Sequence, residues 1–419
     1  MQLLKDSGKY NFRKNYYLAI LNGIFYNISY AFMGGTTVLP LFISTITNSR
    51  IFVGLVTTIE TASWPLPQIF AASMVEHKKT KKSLYIVMAV LRSISLLMIF
   101  LFIVIFAKIE KSLFLGCFII LFSVYSLAGG ISGIPFMDII GKIFPSHKRG
   151  TLWAWRMSIG GSFGVLAGFV VRYIIKKIEY PLNFGILFLI ATFFISLGFI
   201  AFSLMNEPIS KGESGERKKF TVFIGQGIKS LKKDNNFKNL FFLRIFLGIN
   251  AMAIPFYILF IKEQQPFEIS SVGLFVSAQT FGAIISNLLW GNLSKYKGNH
   301  SVLRVTAIIS ILPPSLIMIS HFFPPNLCFA LVIFIFLGIT IQGTWLGFPN
   351  ALLDIAPDKK RPTYVGFMNT MIAPALFLPI VGGILIDKYS FYIVFIISFL
   401  ASIFAFFFSM KFNTERGNI

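Results

Sequence analysis

The sequence predicts an all-α membrane protein whose twelve transmembrane helices form two pseudo-symmetric six-helix bundles, and three observations predict it. First, 55% of the 419 residues are hydrophobic and only 13% are charged, against about 25% charged in an ordinary soluble domain. The mean hydropathy is +0.75. Second, uninterrupted apolar runs recur, as at 183–205 and 390–410, and roughly 20 such residues in a helix rise ~30 Å, the thickness of the hydrocarbon core. Third, "FPSHKRGTLWAW" from Phe144 and "APDKKRPTYVGF" from Ala356 share Pro, three residues, Arg, one residue, Thr, and Pro145 and Pro357 are 212 positions apart. A second copy half a chain after the first implies two halves read in the same direction.

Divided at charged or Pro/Gly punctuation, the runs place helices at 17–44, 51–75, 83–107, 113–141, 151–175, 183–205, 238–262, 269–293, 301–321, 326–354, 363–386 and 390–411. Backbone groups in lipid must bond within their own segment, and runs this long do not resemble the alternating ~10-residue strands of a membrane barrel. The first run follows Arg13–Lys14, the basic-then-apolar shape of a signal peptide, but it is too long, lacks a small-residue cleavage site and is followed by more spans, so it reads as retained. In the second, "SWPLPQ" brings Pro65 and Pro67 as kinks; in the fifth, Gly160, Gly164 and Gly168 make G-x-x-x-G twice over, allowing close helix approach. Between the sixth and seventh lies the only long polar stretch, 207–237, read as a flexible linker, "NEPISKGESGERKK", then a short amphipathic helix on the inner leaflet, "FTVFIGQGIKSLKK". The halves are therefore 1–206 and 238–419. The eleventh helix carries "APALFLPIVGG", with Pro374 and Pro379 for kinking and Gly382–Gly383 for closeness.

Orientation follows from Lys and Arg. Alternate connections carry "KDSGKYNFRK", "EHKKTKK", "KIFPSHKRG", the 207–237 linker, "KYKGNH", "APDKKRPT" and "KFNTER", and the intervening ones carry little, "RYIIKKIEY" excepted. The basic set faces the cytoplasm, both termini included, in a multi-pass protein of the cytoplasmic (inner) membrane. The net charge of +22 follows from this topology and from attraction to anionic lipid. The basic stretches lack the aromatic interleaving of a single-strand binder, so no nucleic-acid partner is indicated. Cys117 and Cys328 stand alone inside apolar runs and read as buried free thiols. There is no G-x-x-x-x-G-K-[ST], H-E-x-x-H, G-x-S-x-G or Cys/His cluster, and the histidines fall in loops or at helix ends. No metal, cofactor or enzymatic activity is implied.

The loop "AASMVEHKKTKK" after the second helix and "WGNLSKYKGNH" after the eighth resemble the loops between helices two and three, and eight and nine, of the major facilitator superfamily. That pattern is Gly, three residues, Asp, then Arg, any, Gly and two basic residues. Here Ala72 replaces the Gly and Glu76 the Asp, while the second copy keeps Gly291 and puts Lys295 at the acid position. With the span count, cytoplasmic termini and basic linker, the resemblance to a major facilitator transporter covers nearly the whole chain. It implies two bundles rocking about a shared site. The glycines of helix five resemble that family's antiporter motif without its Pro, which favours antiport.

A charge inside a span costs roughly 2.5–3.5 kcal/mol on insertion scales. Glu60 is nine residues after Ile51, ~14 Å into the core and so near the midplane. A carboxyl in low dielectric can exchange a proton near neutral pH, as a proton-coupled carrier requires. Arg92 reaches the same nominal depth on the next helix, so a permanent Glu60–Arg92 ion pair is the competing reading. Glu76, Asp138, Arg149, Arg156, Asp354 and Arg361, near the cytoplasmic ends of helices, are candidate gate residues whose ion pairs would form and break in the cycle. Capping and snorkelling are the structural alternative, preferred for Arg244. On helix one Asn22, Tyr26 and Tyr30 share a face, with Asn27 alongside. With the cavity-lining helices that the resemblance implies, these residues, Gln68, Tyr125, Asn250, Gln279, Gln342 and Asn369 are candidate cargo contacts. Interhelical hydrogen bonding is the alternative. With 16% aromatics, one midplane acid and no basic cluster, the expected cargo is a small amphipathic solute, neutral or cationic, moved by a monomeric secondary transporter in proton-driven efflux. The alternatives are nutrient uptake and a non-transporting sensor of the same fold.

Overall fold

A computed structural model of the chain describes residues 12–67, 80–105, 110–208, 220–264, 268–320, 322, 326–357 and 361–413. Among them there is no β-strand. The helices are α1 Phe12–Met33, α2 Val38–Ile46, α3 Arg50–Ala62, α4 Lys82–Ile105, α5 Lys111–Ile143, α6 Ser146–Lys177, α7 Leu182–Ser203 and α8 Phe220–Lys233. They continue as α9 Asn235–Ala251, α10 Tyr257–Gln264, α11 Val272–Ile319, α12 Leu327–Ile355, α13 Arg361–Ile372, α14 Leu378–Lys388 and α15 Phe391–Lys411. Ten stretches are long and apolar enough to cross a bilayer.

Ten differs from the expected twelve at two places. Of the expected span 51–75, the described residues hold α3, a turn at 63–65 and two helical residues beyond it. The expected eighth and ninth spans fall in one stretch, Ile269–Ile319, of 51 residues. At 1.5 Å per residue that is ~75 Å, more than twice a hydrocarbon core. The stretch is interrupted at Gly298, where φ is 76° and ψ 166°, a conformation that costs an L side chain heavily and a glycine almost nothing. Gly298 lies in the basic connection "KYKGNH", where the turn was expected.

Three other spans are broken inside. The first stops at Met33 and restarts at Val38, with the Thr37 and Leu39 amides both donating to the Gly34 carbonyl. The seventh passes through a 3-10 turn at Ile254–Phe256, and the eleventh through one at Ala373–Phe377. Non-helical backbone at membrane depth must find partners in protein, and the first break finds one described below.

By its own contacts the chain divides into two compact units. Unit 1 takes in residues up to Thr47, Ile59–Gly215 and Glu268–Ser277; unit 2 takes in Asn48–Thr58, Glu216–Phe267 and Ala278 onward. In unit 1, α1 packs on α6 and α7, and α4 on α5 and α7. The faces of α4 show the logic: Tyr85, Ala89, Arg92, Leu96, Ile99 and Ile103 recur at helical spacing and are buried, while Val87, Val90, Ile94, Leu101 and Ile105 are exposed. An apolar outer face and a partly polar inner one suit lipid rather than water. One end of the unit is locked by phenylalanines, with Phe42 at 5.1 Å from Phe118, 5.0 Å from Phe184 and 5.5 Å from Phe188 between ring centroids. In unit 2, α9 packs on α15 and α12, and its core gathers Phe237, Leu243, Leu247, Phe348, Tyr364 and Phe367. The expected amphipathic helix is present as α8, which lies against α13 with Gly227 facing Phe367.

Elsewhere in unit 2, α11 and α12 touch backbone to backbone: Gly338 faces the Gln279 carbonyl and Gly282 faces the Ile335 carbonyl, so a methyl at either would collide. The start of α3 packs in the same way, Gly54 against Pro379 and Gly383 against Arg50. In unit 1, Gly168 meets Gly273 and Ser277, whose hydroxyl donates to the Val165 carbonyl at 2.7 Å. Cys117 is half-buried, but Cys328 is exposed. The expectation of two buried thiols fails for Cys328 because it sits one residue into α12, before the helix enters the packed interior.

Candidate functional site

The deep polar groups of unit 1 fall into two neighbouring clusters. In the first, the Glu60 carboxylate accepts from the Tyr30 hydroxyl and from the Gly35 backbone N–H. The break in the first span makes this possible, since Gly35 lies between α1 and α2, outside both helices. Gly35 also lets the carboxylate lie against the backbone, where a Cβ would overlap it. Among the described residues Glu60 has no ion pair within 4 Å, and the Glu60–Arg92 pair anticipated from equal depth is not made.

Arg92 donates instead to the Tyr125 hydroxyl at 2.9 Å, lies over the Tyr125 ring at 4.6 Å and the Phe199 ring at 5.1 Å, and has Gly129 beside its guanidinium. Arg156 donates to the Asn22 side-chain oxygen at 3.0 Å and to the Ala19 carbonyl, and stacks on Trp153 and Phe136 at 4.9 and 5.4 Å. Asn22 in turn donates to the Gly198 carbonyl at 2.8 Å and is hydrogen-bonded to Tyr85. Tyr85 and Tyr26 are within electrostatic reach of both arginines, and Tyr125 is within reach of Glu60 as well as Arg92. One interior therefore holds an acid, two arginines and four phenols from five helices.

The other expected lining residues are dispersed. Tyr26 and Tyr30 are partly exposed, as the polar face of α1 requires, but Asn27 turns back to the Gly23 carbonyl at 2.8 Å, with Gly160 against it. Asn250 is buried, its amide facing Ser402 Oγ at 2.7 Å and Ser398 Oγ at 2.9 Å. Gln279 and Gln342 are half-buried and Asn369 is exposed. Gln68 lies outside the described residues.

At the ends of α4 and α5, Asp138 pairs with Lys81 at 2.8 Å and Lys142 at 2.6 Å, and Lys142 also pairs with Glu207 at 3.0 Å. Glu207 accepts the Lys81 amide at 2.9 Å and the Lys82 amide at 2.8 Å, capping α4. Arg149 caps the C-terminus of α5, donating to the carbonyls of Phe144 and Gly141, both at 2.7 Å, where the helix dipole favours a cation. Asp354 accepts from the Asn299 amide at 2.7 Å. Glu76 and the Arg361 side chain lie outside the described residues. Arg244 lies 4.5 Å over the Phe348 ring.

Sequence reasoning missed Tyr85, Lys81, Lys142 and Glu207. Glu207 alone carried a signal, being the first acid after a long apolar run. The sequence pattern puts it in the 207–237 linker, yet its side chain is 3% exposed.

No curated protein sequence matches this one. Solved structures share its fold: a D-xylose–proton symporter has a TM-score of 0.71 at 14% identity, covering 94% of this chain and 97% of that one. The nucleoside transporter NupG has 0.70 at 15%, covering 94% and 100%. A bacterial homologue of the iron transporter ferroportin, in an inward-facing state, has 0.66 at 12%, covering 94% and 98%. The sequence profile of the Major Facilitator Superfamily matches residues 20–372 and again 240–418. With most of its length matched, this multi-pass membrane chain belongs to the Major Facilitator Superfamily.

Proposed function

We propose that the protein is a proton-coupled secondary transporter of a small solute, working by alternating access, with twelve spans in two six-helix bundles, 1–206 and 238–419, joined through 207–237. The observation that carries the coupling is the setting of Glu60. Its carboxylate meets a phenol and a backbone amide and, among the described residues, no cation within 4 Å. An acid locked in an ion pair keeps its charge through a cycle; one held by neutral donors at mid-depth is free to bind and release a proton. Tyr30 is hydrogen-bonded to Glu60 and Tyr125 is within its electrostatic reach; with Tyr26 and Asn22 these are the proposed cargo-facing groups, and Arg92, through Tyr125, couples cargo to proton. The Asp138–Lys81–Lys142–Glu207 cluster is the proposed cytoplasmic latch.

For direction, the glycine face of α6 supports efflux by antiport, as the family resemblance implies. A second reading, uptake by symport, is favoured by the two buried arginines, because their positive charge attracts an anion, whose own charge then eases protonation of Glu60. Reconstituted vesicles test both. Glu60→Gln is expected to abolish flux driven by a pH gradient while leaving cargo counterflow intact, and undiminished coupling removes Glu60 from the proton role. Accumulation with an inward proton gradient means symport, and expulsion means antiport.

A further inference from the structure

We propose that the interior of unit 1 binds an organic anion, a carboxylate on an apolar body, through Arg92 and Arg156. This deepens the transport reading and rests on it only for the anion being cargo.

Arg92 is 7% exposed and Arg156 4%. Each stands ten residues into its helix, α4 from Lys82 and α6 from Ser146, ~15 Å along the helix axis from its first residue. Neither has a carboxylate within 4 Å among the described residues, and the Nε of each is buried with no hydrogen-bond partner. Two guanidiniums held in a membrane interior without a counter-ion are costly unless something supplies the missing charge. Glu60, the one deep acid among the unit's described residues, is engaged by Tyr30 and Gly35. Both arginines are within electrostatic reach of Tyr26, which is 40% exposed.

The remaining donors select the ligand. Arg92 uses one N–H of Nη2 on Tyr125, and Arg156 uses one N–H each of Nη1 and Nη2 on Ala19 and Asn22, so each guanidinium keeps further N–H donors. Rings of Tyr125, Phe199, Trp153 and Phe136 lie over the guanidinium faces, so the unused N–H groups along the guanidinium edges are what is left. A planar carboxylate accepts along such edges, and an apolar body suits the aromatic walls better than a strongly hydrated phosphate does. The sign of the expected cargo is thereby reversed from cation or neutral to anion.

The test is equilibrium binding to the purified full-length protein in detergent, by thermal shift and calorimetry, with probes alike except in charge: benzoate, benzamide and benzylammonium, with inorganic phosphate alongside. Benzoate is expected to raise the melting temperature saturably, and the neutral and cationic probes to leave it unmoved. Arg92→Gln and Arg156→Gln are expected to weaken benzoate about tenfold or more, the worth of a hydrogen bond to a charged group. Arg92→Lys keeps part of the affinity, and Arg244→Gln keeps all of it. Equal stabilisation by all three probes, stabilisation by phosphate alone, no stabilisation by benzoate, or unchanged affinity in both Gln variants overturns the proposal. Should the Gln variants fail to fold, the charge series on the unaltered protein decides alone. Binding needs no gradient, so benzoate binding without flux would sink the transport reading and spare this one. Flux of neutral or cationic solutes without benzoate binding would do the reverse.

Discussion

Asn250 offers a clean separation of scaffold from cargo contact. Its side-chain nitrogen has two hydrogens, and the best acceptors are Ser402 Oγ at 2.7 Å and Ser398 Oγ at 2.9 Å. The carbonyls of Ser310 and Ser398 stand farther off, at 3.3 and 3.4 Å. Interhelical hydrogen bonds in membranes average about 0.6 kcal/mol with a maximum near 1.7. Two of them, plus the small void left by truncation, put Asn250→Ala at about 2 kcal/mol. At about 2–4 °C per kcal/mol that lowers the melting temperature by roughly 4–8 °C. Asn250→Asp is nearly the same size, but it turns an oxygen toward two carbonyls and costs more, several kcal/mol or a protonated acid. Thermal melting in detergent, paired with transport KM, reads both effects. Loss of stability with unchanged KM is the expected outcome. Intact stability with a raised KM for Asn250→Ala would show that the amide reaches cargo, and the reasoning from its serine partners would be refuted.

Asp138→Asn removes two ion pairs worth about 0.5 kcal/mol each at partly exposed positions, a shift of about fivefold in a two-state equilibrium; cysteine accessibility on either side of the membrane measures it, and no shift would leave Asp138 a local fastener only. Gly338→Ala should cost about 1–3 kcal/mol by driving a methyl into the Gln279 carbonyl. Gly116→Ala, open on every side, should gain about 0.5–1 kcal/mol of helix propensity, and equal melting shifts of the two would contradict the packing. Outside the spans, the Ser270 hydroxyl and the Lys176 ammonium hold the Glu268 carboxyl below its ordinary range. The contact therefore persists above that range and is lost as acid protonates the group, and a carbon-13 carboxyl titration should show the midpoint rising in Lys176→Gln.

Which charges lie inside apolar helices was more legible in the sequence than which way they face. Glu60 and Arg92 were legible because a charge in an apolar run has few innocent explanations, but equal depth suggested a pairing that the azimuths of α3 and α4 do not make. The sequence pattern starts the helix of Arg156 at Thr151 and so puts it near a cytoplasmic edge; α6 starts at Ser146, which sets Arg156 five residues, ~7 Å, farther along its helix. The Gly34–Gly35 pair was visible, yet that its break would present an amide to Glu60 depends on where a second helix passes. The serines around Asn250 come from α11 and α15 and carry no mutual mark in one sequence.

The backbone seams have a mechanical consequence. Side chains that interdigitate act as teeth, and moving one helix past another means lifting them through unfavourable rotamers. Where Gly282 and Gly338 let α11 and α12 meet main chain on main chain, there are no teeth to lift, so small slips along that line meet little resistance. The ring cluster around Phe42 is the opposite, a geared joint that moves as a block. Deformation should therefore concentrate along the glycine lines, and filling them should slow the protein before it unfolds it.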